Sequence, residues 1–245
     1  MSVPERNLRI IPLPRLSEPR EPLSVGHLSP ASLNRSSAEG FVRDLFAQHY
    51  TARLSSFYPH LFTITNTAEE FIAVTGIRLA EDEQLFSEHY LDATIEHSIE
   101  QFGMPSVARS DIIEIGNLAP ASVGHARWLI AALTAWVHAA GFRKVVFTVA
   151  PMLRNTFQRM GLETQCIAHA DINRIDAATR QNWGNYYESQ PSVYVGDIHN
   201  AYTILSSRLD NTMPRLKQLW DDAHRSGATF AVRRHTDQVT MQQQK

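Results

Sequence analysis

The chain has 245 residues, 43% of them hydrophobic and 20% charged, which is enough for one domain with a real core and some appendages. Its 23 Lys and Arg against 25 Asp and Glu leave a net charge of −2, so no strong field draws nucleic acid or an anionic membrane. One cysteine, Cys166, excludes an internal disulfide and any CxxC metal or redox site, and reads as a small buried hydrophobe.

Residues 1–34 carry prolines at 4, 12, 14, 19, 22 and 30 and are expected to be an extended or partly disordered arm. The first sixteen residues mix Glu5, Arg6 and Arg9 with prolines and hold no apolar stretch of the kind a secretory leader needs. The longest apolar run, 128–140, is well short of the ~20 residues that span a bilayer. A cytoplasmic location is therefore the expectation.

A helix is predicted to begin at Ser36-Ser37-Ala38-Glu39, a capping box followed by Phe41, Leu45, Phe46, Tyr50 and Leu54 at helical spacing. Segments 62–66 and 71–79 are β-rich and flank the polar 67–70, which predicts a hairpin. Residues 85–92 read as a short strand or turn, and 94–102 as a short helix closed by Gly103 and Pro105. The middle is clearest. Strand 111–118, helix 123–140, strand 144–149 and helix 151–160 follow with short connections, which predicts two parallel strands joined by a right-handed crossover. The crossover helix is apolar nearly all round, so it should be buried on more than one side. Beyond Gly161 the pattern weakens. Residues 170–178 look loop-like, 182–187 are aromatic, 192–198 suggest a strand, and 202–209 and 214–224 suggest helices. The expected division is a domain over 35–200, a helical extension over 201–234 and a disordered Gln-rich tail over 235–245.

Several chemistries are absent. There is no HExxH, HxH, paired CxxC or EF-hand loop, so no metal is expected. GxSxG, GxxxxGK[ST] and GxGxxG are missing as well, which argues against serine-nucleophile, nucleoside-triphosphate and dinucleotide enzymes. His89 and His97 lie eight apart across a helix start and read as surface or capping residues.

Three ordered segments resemble the GNAT acyltransferase superfamily, in particular its acyl-homoserine lactone and N-acyl amino acid synthases. They are Glu114-Ile115-Gly116-Asn117-Leu118-Ala119, the helix after Gly124, and Thr148-Val149 leading to Leu153-Arg154-Asn155 and Arg159-Met160-Gly161-Leu162. Phe86-Ser87-Glu88-His89-Tyr90-Leu91-Asp92, Ile113-Glu114-Ile115-Gly116-Asn117-Leu118-Ala119, Phe147-Thr148, Leu153-Arg154-Asn155-Thr156-Phe157, Trp183-Gly184-Asn185-Tyr186-Tyr187 and Val195-Gly196-Asp197-Ile198 are similar to the blocks of the thermostable hemolysin family. That likeness spans roughly residues 40 to 200.

The resemblance implies an α/β (α+β) fold, with a GNAT-like mixed central sheet flanked by helices and splayed parallel strands at its centre. It also implies an enzyme that moves an acyl group from an acyl carrier protein phosphopantetheine thioester, or from acyl-CoA, to a small amine or amino acid. Leu118, Ala119, Gly124, Thr148, Arg154 and Asn155 would then hold the thioester arm. Mid-strand Glu114 would orient or deprotonate the amine, or else be a structural carboxylate fed by backbone or Arg donors, since a lone buried charge is costly. Glu88, in an apolar setting, shares that suspicion. Tyr187, with Tyr186, would close the acceptor pocket or protonate the leaving thiolate, or simply pack. The stretch Ala119-Pro120-Ala121-Ser122-Val123-Gly124-His125-Ala126 departs from the glycine-rich pyrophosphate loop of acetyl-CoA users, holding one Gly and a donor-less Pro. That favours a carrier-protein donor. The rival reading, a protein that lyses membranes directly as the family name says, has no long cationic amphipathic helix behind it.

Overall fold

A computed structural model describes residues 16–209 and 212–243. Two antiparallel hairpin strands, β2 (His60–Thr65) and β3 (Phe71–Leu79), form around the polar turn where the sequence places them. Beside β3 runs β4 (Ile112–Pro120), and the crossover helix α3 (Val123–Ala139) returns the chain to β5 (Lys144–Val149), parallel to β4. Two strands escape the sequence pattern. β1 (Ser24–Leu28) pairs with β2 inside the N-terminal arm, and β6 (Thr164–His169) forms the opposite edge against β7 (Ser192–Asp197). The single sheet has the order β1-β2-β3-β4-β5-β7-β6, and only the β4–β5 pair is parallel. This is the mixed sheet that the GNAT resemblance predicts.

Helix α1 (Arg35–Tyr50) starts one residue before the expected box, which does not form. Asn34 makes no side-chain cap, and Glu39 accepts from Arg35 Nε at 2.8 Å instead. Thr51, left-handed at φ 54°, ends the helix, so Leu54 lies past it yet packs into the same cluster. Residues 86–90 form a 3₁₀ turn rather than a strand, followed by α2 (Ile95–Gln101). α4 (Pro151–Arg159) has Pro at its first turn, as expected. A short α5 (Ala177–Gln181), capped by Asp176, begins in the last two residues of the stretch read as loop. α6 (Ile198–Ser206) opens directly from β7, four residues earlier than the apolar pattern suggests, because Asp197 caps it through Asn200 N–H.

α3 buries ten of its residues between the sheet and α7 (Pro214–Gln243), which explains its all-round apolarity. α7 runs on through position 235, where the sequence predicts a frayed tail. Arg234 holds it there, donating to Glu81 Oε1 and the Ser110 carbonyl, both at 2.5 Å, with its guanidinium over Phe142. The final two residues of that tail, like the first fifteen of the arm, lie outside the described residues. No described helix is long and apolar enough to cross a membrane.

The two helices approach closely at Gly227, where a Cβ would stand 2.2 Å from the Trp136 carbonyl oxygen. Gly227→Ala must therefore push α7 off α3. It should cost about 1–3 kcal/mol, readable as a shift in the urea midpoint at unchanged slope. An unaltered midpoint would show that α7 does not dock as described.

Candidate active site

Pairing between β4 and β5 runs only from Ile112↔Lys144 to Ile115↔Phe147. Beyond it β4 continues against β3 and β5 against β7, so their facing edges open into a wedge of unpaired backbone. A bulge deepens the wedge. Gly76 pairs with Gly116 and Val74 with Ala119, leaving Thr75 opposite both Asn117 and Leu118, with Asn117 at φ 49°.

A cavity of about 410 Å³ fills this opening on the α1 side of the sheet. Leu118, Ala119, Thr148 and Val149 form its strand walls, and Phe46 and Tyr50 of α1 close one flank. Phe86 and Tyr90 of the 3₁₀ turn and Trp183, Tyr186 and Tyr187 close the other. Arg78 and His49 are its basic residues, and no Asp or Glu lies on it. Two buried acceptors in this mostly apolar space, Asn117 Oδ1 and Thr148 Oγ1, find no partner among the described residues. Leaving such a group unsatisfied costs about 1–3 kcal/mol, so both atoms suit a ligand that brings donors.

The tyrosines are tied to this frame. Tyr186 donates its hydroxyl to the Thr148 carbonyl at 3.1 Å, at the unpaired end of β5. The Tyr90 and Tyr187 hydroxyls hydrogen-bond each other. Burial pushes the Tyr187 phenol up to about 12, with the bond from Tyr90 opposing, so at neutral pH it remains a proton donor.

The two predicted carboxylates lie behind the wall instead of on it. Glu114 is 1% exposed and accepts from Phe86 N–H at 2.8 Å and from Ser87 N–H at 2.7 Å. Burial pushes its pKa up, against the pull of these hydrogen bonds and of Arg78. Glu88 is gripped by Arg109 through both oxygens at 2.9 Å, and accepts from Leu85 N–H at 2.8 Å and Ile95 N–H at 3.0 Å. Burial works to raise its pKa, but Arg109 and the two amides outweigh it and hold the carboxyl below its usual range. Glu88 thus anchors the turn whose amides hold Glu114.

Of the residues expected to bind the thioester arm, Leu118, Ala119 and Thr148 are brought together on the wedge. α4 turns Leu153 and Thr156 to the cavity, leaving Asn155 exposed and Arg154 half-buried beside it. Gly124 sits in the first turn of α3, where a Cβ would meet only Ser122 Oγ at 3.7 Å, so no close approach demands glycine there. Ser122 caps that turn itself, accepting from His125 N–H at 3.3 Å.

Sequence reasoning missed Tyr58, in the loop between α1 and β2. Its ring lies across Gly76 and Gly116, where added Cβ atoms would come within 2.9 and 2.6 Å of it, and the Arg78 guanidinium stands 4.6 Å over the ring centre. The signal was there: mid-strand glycines on two strands mark a close approach by something bulky. The ring's source could not be read from them.

No group of three metal-ligating side chains occurs among the described residues. No curated protein matches the sequence. Among solved structures, TofI in an apo form is similar at TM-score 0.52 and 12% identity, covering 78% of this chain and 99% of that one. FeeM, an N-acyl amino acid synthase from uncultured soil microbes, is similar at TM-score 0.50 and 13% identity, covering 77% and 99%. These likenesses show a shared GNAT-like fold, a mixed sheet flanked by helices. Across residues 28–202, from the end of β1 into α6 and so over every wall of the cavity, the sequence matches the thermostable hemolysin profile, and the chain belongs to that family.

Proposed function

We propose that the wedge binds an acyl thioester and transfers its acyl group to a small amine, such as an amino acid. The observation that carries this reading is the cavity itself: an apolar chamber opened by strand splay, lined by unpaired backbone and by two partnerless acceptors, Asn117 Oδ1 and Thr148 Oγ1. A pantetheine arm is an extended chain with two amides, matched to a strand edge that lacks its neighbour. Leu118, Ala119 and Thr148 grip that arm, while Gly124, Arg154 and Asn155, beside the lining residues Val123, Leu153 and Thr156, would meet the donor's remaining bulk. Backbone N–H groups at the splay stabilise the oxyanion as the amine attacks the thioester carbonyl. Tyr187 protonates the departing thiolate. The single-glycine loop before α3, already self-capped by Ser122, favours an acyl carrier protein over acyl-CoA as donor.

The test is purified protein with acyl carrier protein thioesters and acyl-CoAs of several chain lengths plus an amino acid mixture, read by mass spectrometry. N-acyl products are expected, more from the carrier-protein thioesters. Tyr187→Phe should lower turnover about 100-fold with little change in melting temperature. Absence of any acylated product across donors and chain lengths would sink the reading.

A further inference from the structure

Four positions on adjacent strands make a rectangle. Gly76 pairs with Gly116, and Arg78 pairs with Glu114, in the antiparallel β3–β4 register. Residues two apart on a strand share a face, so the glycine pair and the charged pair lie side by side on one surface. The Tyr58 ring fills the glycine slot. Its Cβ end lies over Gly76 and its hydroxyl over Gly116, 2.7 Å from where a Cβ would be. The hydroxyl therefore stands over β4 one same-face position from Glu114, whose carboxylate, with burial, raises the Tyr58 pKa. The loop holding Tyr58 is fixed from behind: Arg35 donates to the Tyr58 and Pro59 carbonyls, each at 2.7 Å.

A tyrosine needing only a place to pack would not require two mid-strand glycines and a guanidinium above it. The construction brings one hydroxyl to the wall of the cavity and sets it beside the position of a carboxylate that the cavity does not reach. Asn117 Oδ1, the buried acceptor without a partner, stands 3.1 Å from the Cβ position at Gly76, beside the same ring.

Resting on the acyl-transfer reading, we infer that Tyr58 is the catalytic residue that takes the acceptor amine's proton, with Glu114 as the positioning residue that receives the Tyr58 proton in turn and Asn117 Oδ1 holding the amine's second N–H. The amine enters as its free base. Its nitrogen bonds to the thioester carbonyl carbon while one N–H proton passes to the Tyr58 oxygen and the Tyr58 proton passes to Glu114. The C–S bond then breaks, and the thiolate leaves with a proton from Tyr187. The Glu114 proton then leaves through Tyr58 to water in the open cavity, and Tyr187 takes a proton back from water, restoring all three groups. Burial raises the Glu114 pKa, which suits it to accept, and raises that of Tyr58, which keeps it from ionising on its own. The charged or titratable groups around the Tyr58 hydroxyl are Glu114, Arg78 and Tyr186.

The experiment is a double-mutant cycle on acyl transfer. Tyr58→Phe keeps the ring in its slot, and Glu114→Gln keeps a carbonyl oxygen to accept from the 86–87 amides. Each single variant is expected to lose about 100-fold in kcat at a KM for the thioester within about 2-fold, as for loss of a transition-state interaction alone. The double variant should be no slower than the worse single, and the low-pH limb of kcat should disappear in both. Multiplying losses, or a Tyr58→Phe enzyme with wild-type kcat and pH profile, would overturn the relay. Melting temperatures accompany each variant. If a variant does not fold, Asn117→Ala, expected to raise KM for the amine and leave KM for the thioester alone, decides in its place. Wild-type protein that makes no product at all contradicts acyl transfer itself, whereas product with an indifferent Tyr58 contradicts only the relay.

Discussion

Arg109→Ala is expected to destabilise the protein by about 3 kcal/mol, the lower end for breaking a buried ion pair, and to disorder the cavity wall with it. The guanidinium clamps Glu88 through two bonds, reaches Glu96 at 3.0 Å and donates to the Ala80 carbonyl at 2.6 Å. Its side chain is 30% exposed while that of Glu88 is 6% exposed, so removing Arg109 strands the deeper partner as an uncompensated charge. That asymmetry makes the loss large. Glu88 also accepts from Leu85 and Ile95, so it pins both ends of the segment that presents Phe86 and Tyr90 to the cavity and the 86–87 amides to Glu114. Urea titration should show the lost stability. Amide exchange should show faster opening confined at first to residues 85–95. Arg109→Lys restores a charge but not the bidentate fork, and should recover only part of the loss. An Arg109→Ala protein with unchanged midpoint would mean that the pair contributes nothing.

The second large effect is expected on acidification. His27 of β1 stacks on His60 and Trp136 and meets Phe230 edge-on, with its Nε2 3.2 Å from His60 Nδ1. Burial, with His60 and Arg233 nearby, lowers its pKa to about 4 from 6.5. His60 is lowered too, chiefly by burial, with Arg35 adding to that and Asp82 opposing. Above pH 6.5 both folded and unfolded chains carry neutral His27 and no linkage operates. Below it the unfolded chain binds a proton that the folded one resists, so stability falls as pH drops from 6.5 towards 4. For His27 alone the loss is about 2 kcal/mol at pH 5 and about 3 kcal/mol at pH 4. His27→Phe keeps an aromatic ring in the stack and removes the titration, so its melting temperature should fall less steeply between pH 7 and pH 4. Parallel pH curves for the two proteins would refute the assignment. The site lies where β1 and α7 meet, on the sheet face away from the cavity, so α7 is the element that acid should release first.

Much of this architecture is legible in the sequence because it is written in local chemistry. The β2–β3 hairpin, α3 between β4 and β5, and α4 opening on Pro151 each announce themselves by period, cap or turn. The family blocks fall on the segments that form the cavity, 86–92, 114–119, 147–157 and 183–187. Where local signals mislead, a longer-range contact has won. Glu39 leaves the capping box for Arg35, and α7 persists past residue 235 because Arg234 reaches Glu81 and Ser110 across the fold. The edge strands β1 and β6 carry little alternation of their own and exist by pairing with β2 and β7.

The candidate site divides along the same line. That Glu114 and Glu88 matter follows from the sequence alone, since a carboxylate amid apolar residues must find donors or a task. What each does was decided only by tertiary structure. Glu88 is taken by Arg109, 21 positions away, and Glu114 by the amides at 86 and 87, with Tyr58, 56 positions upstream, brought to its same-face neighbour Gly116. Strand splay, the bulge at Asn117 and the slot for Tyr58 depend on which strands stop pairing and where, and a sequence carries periodicity within elements but not the register between them.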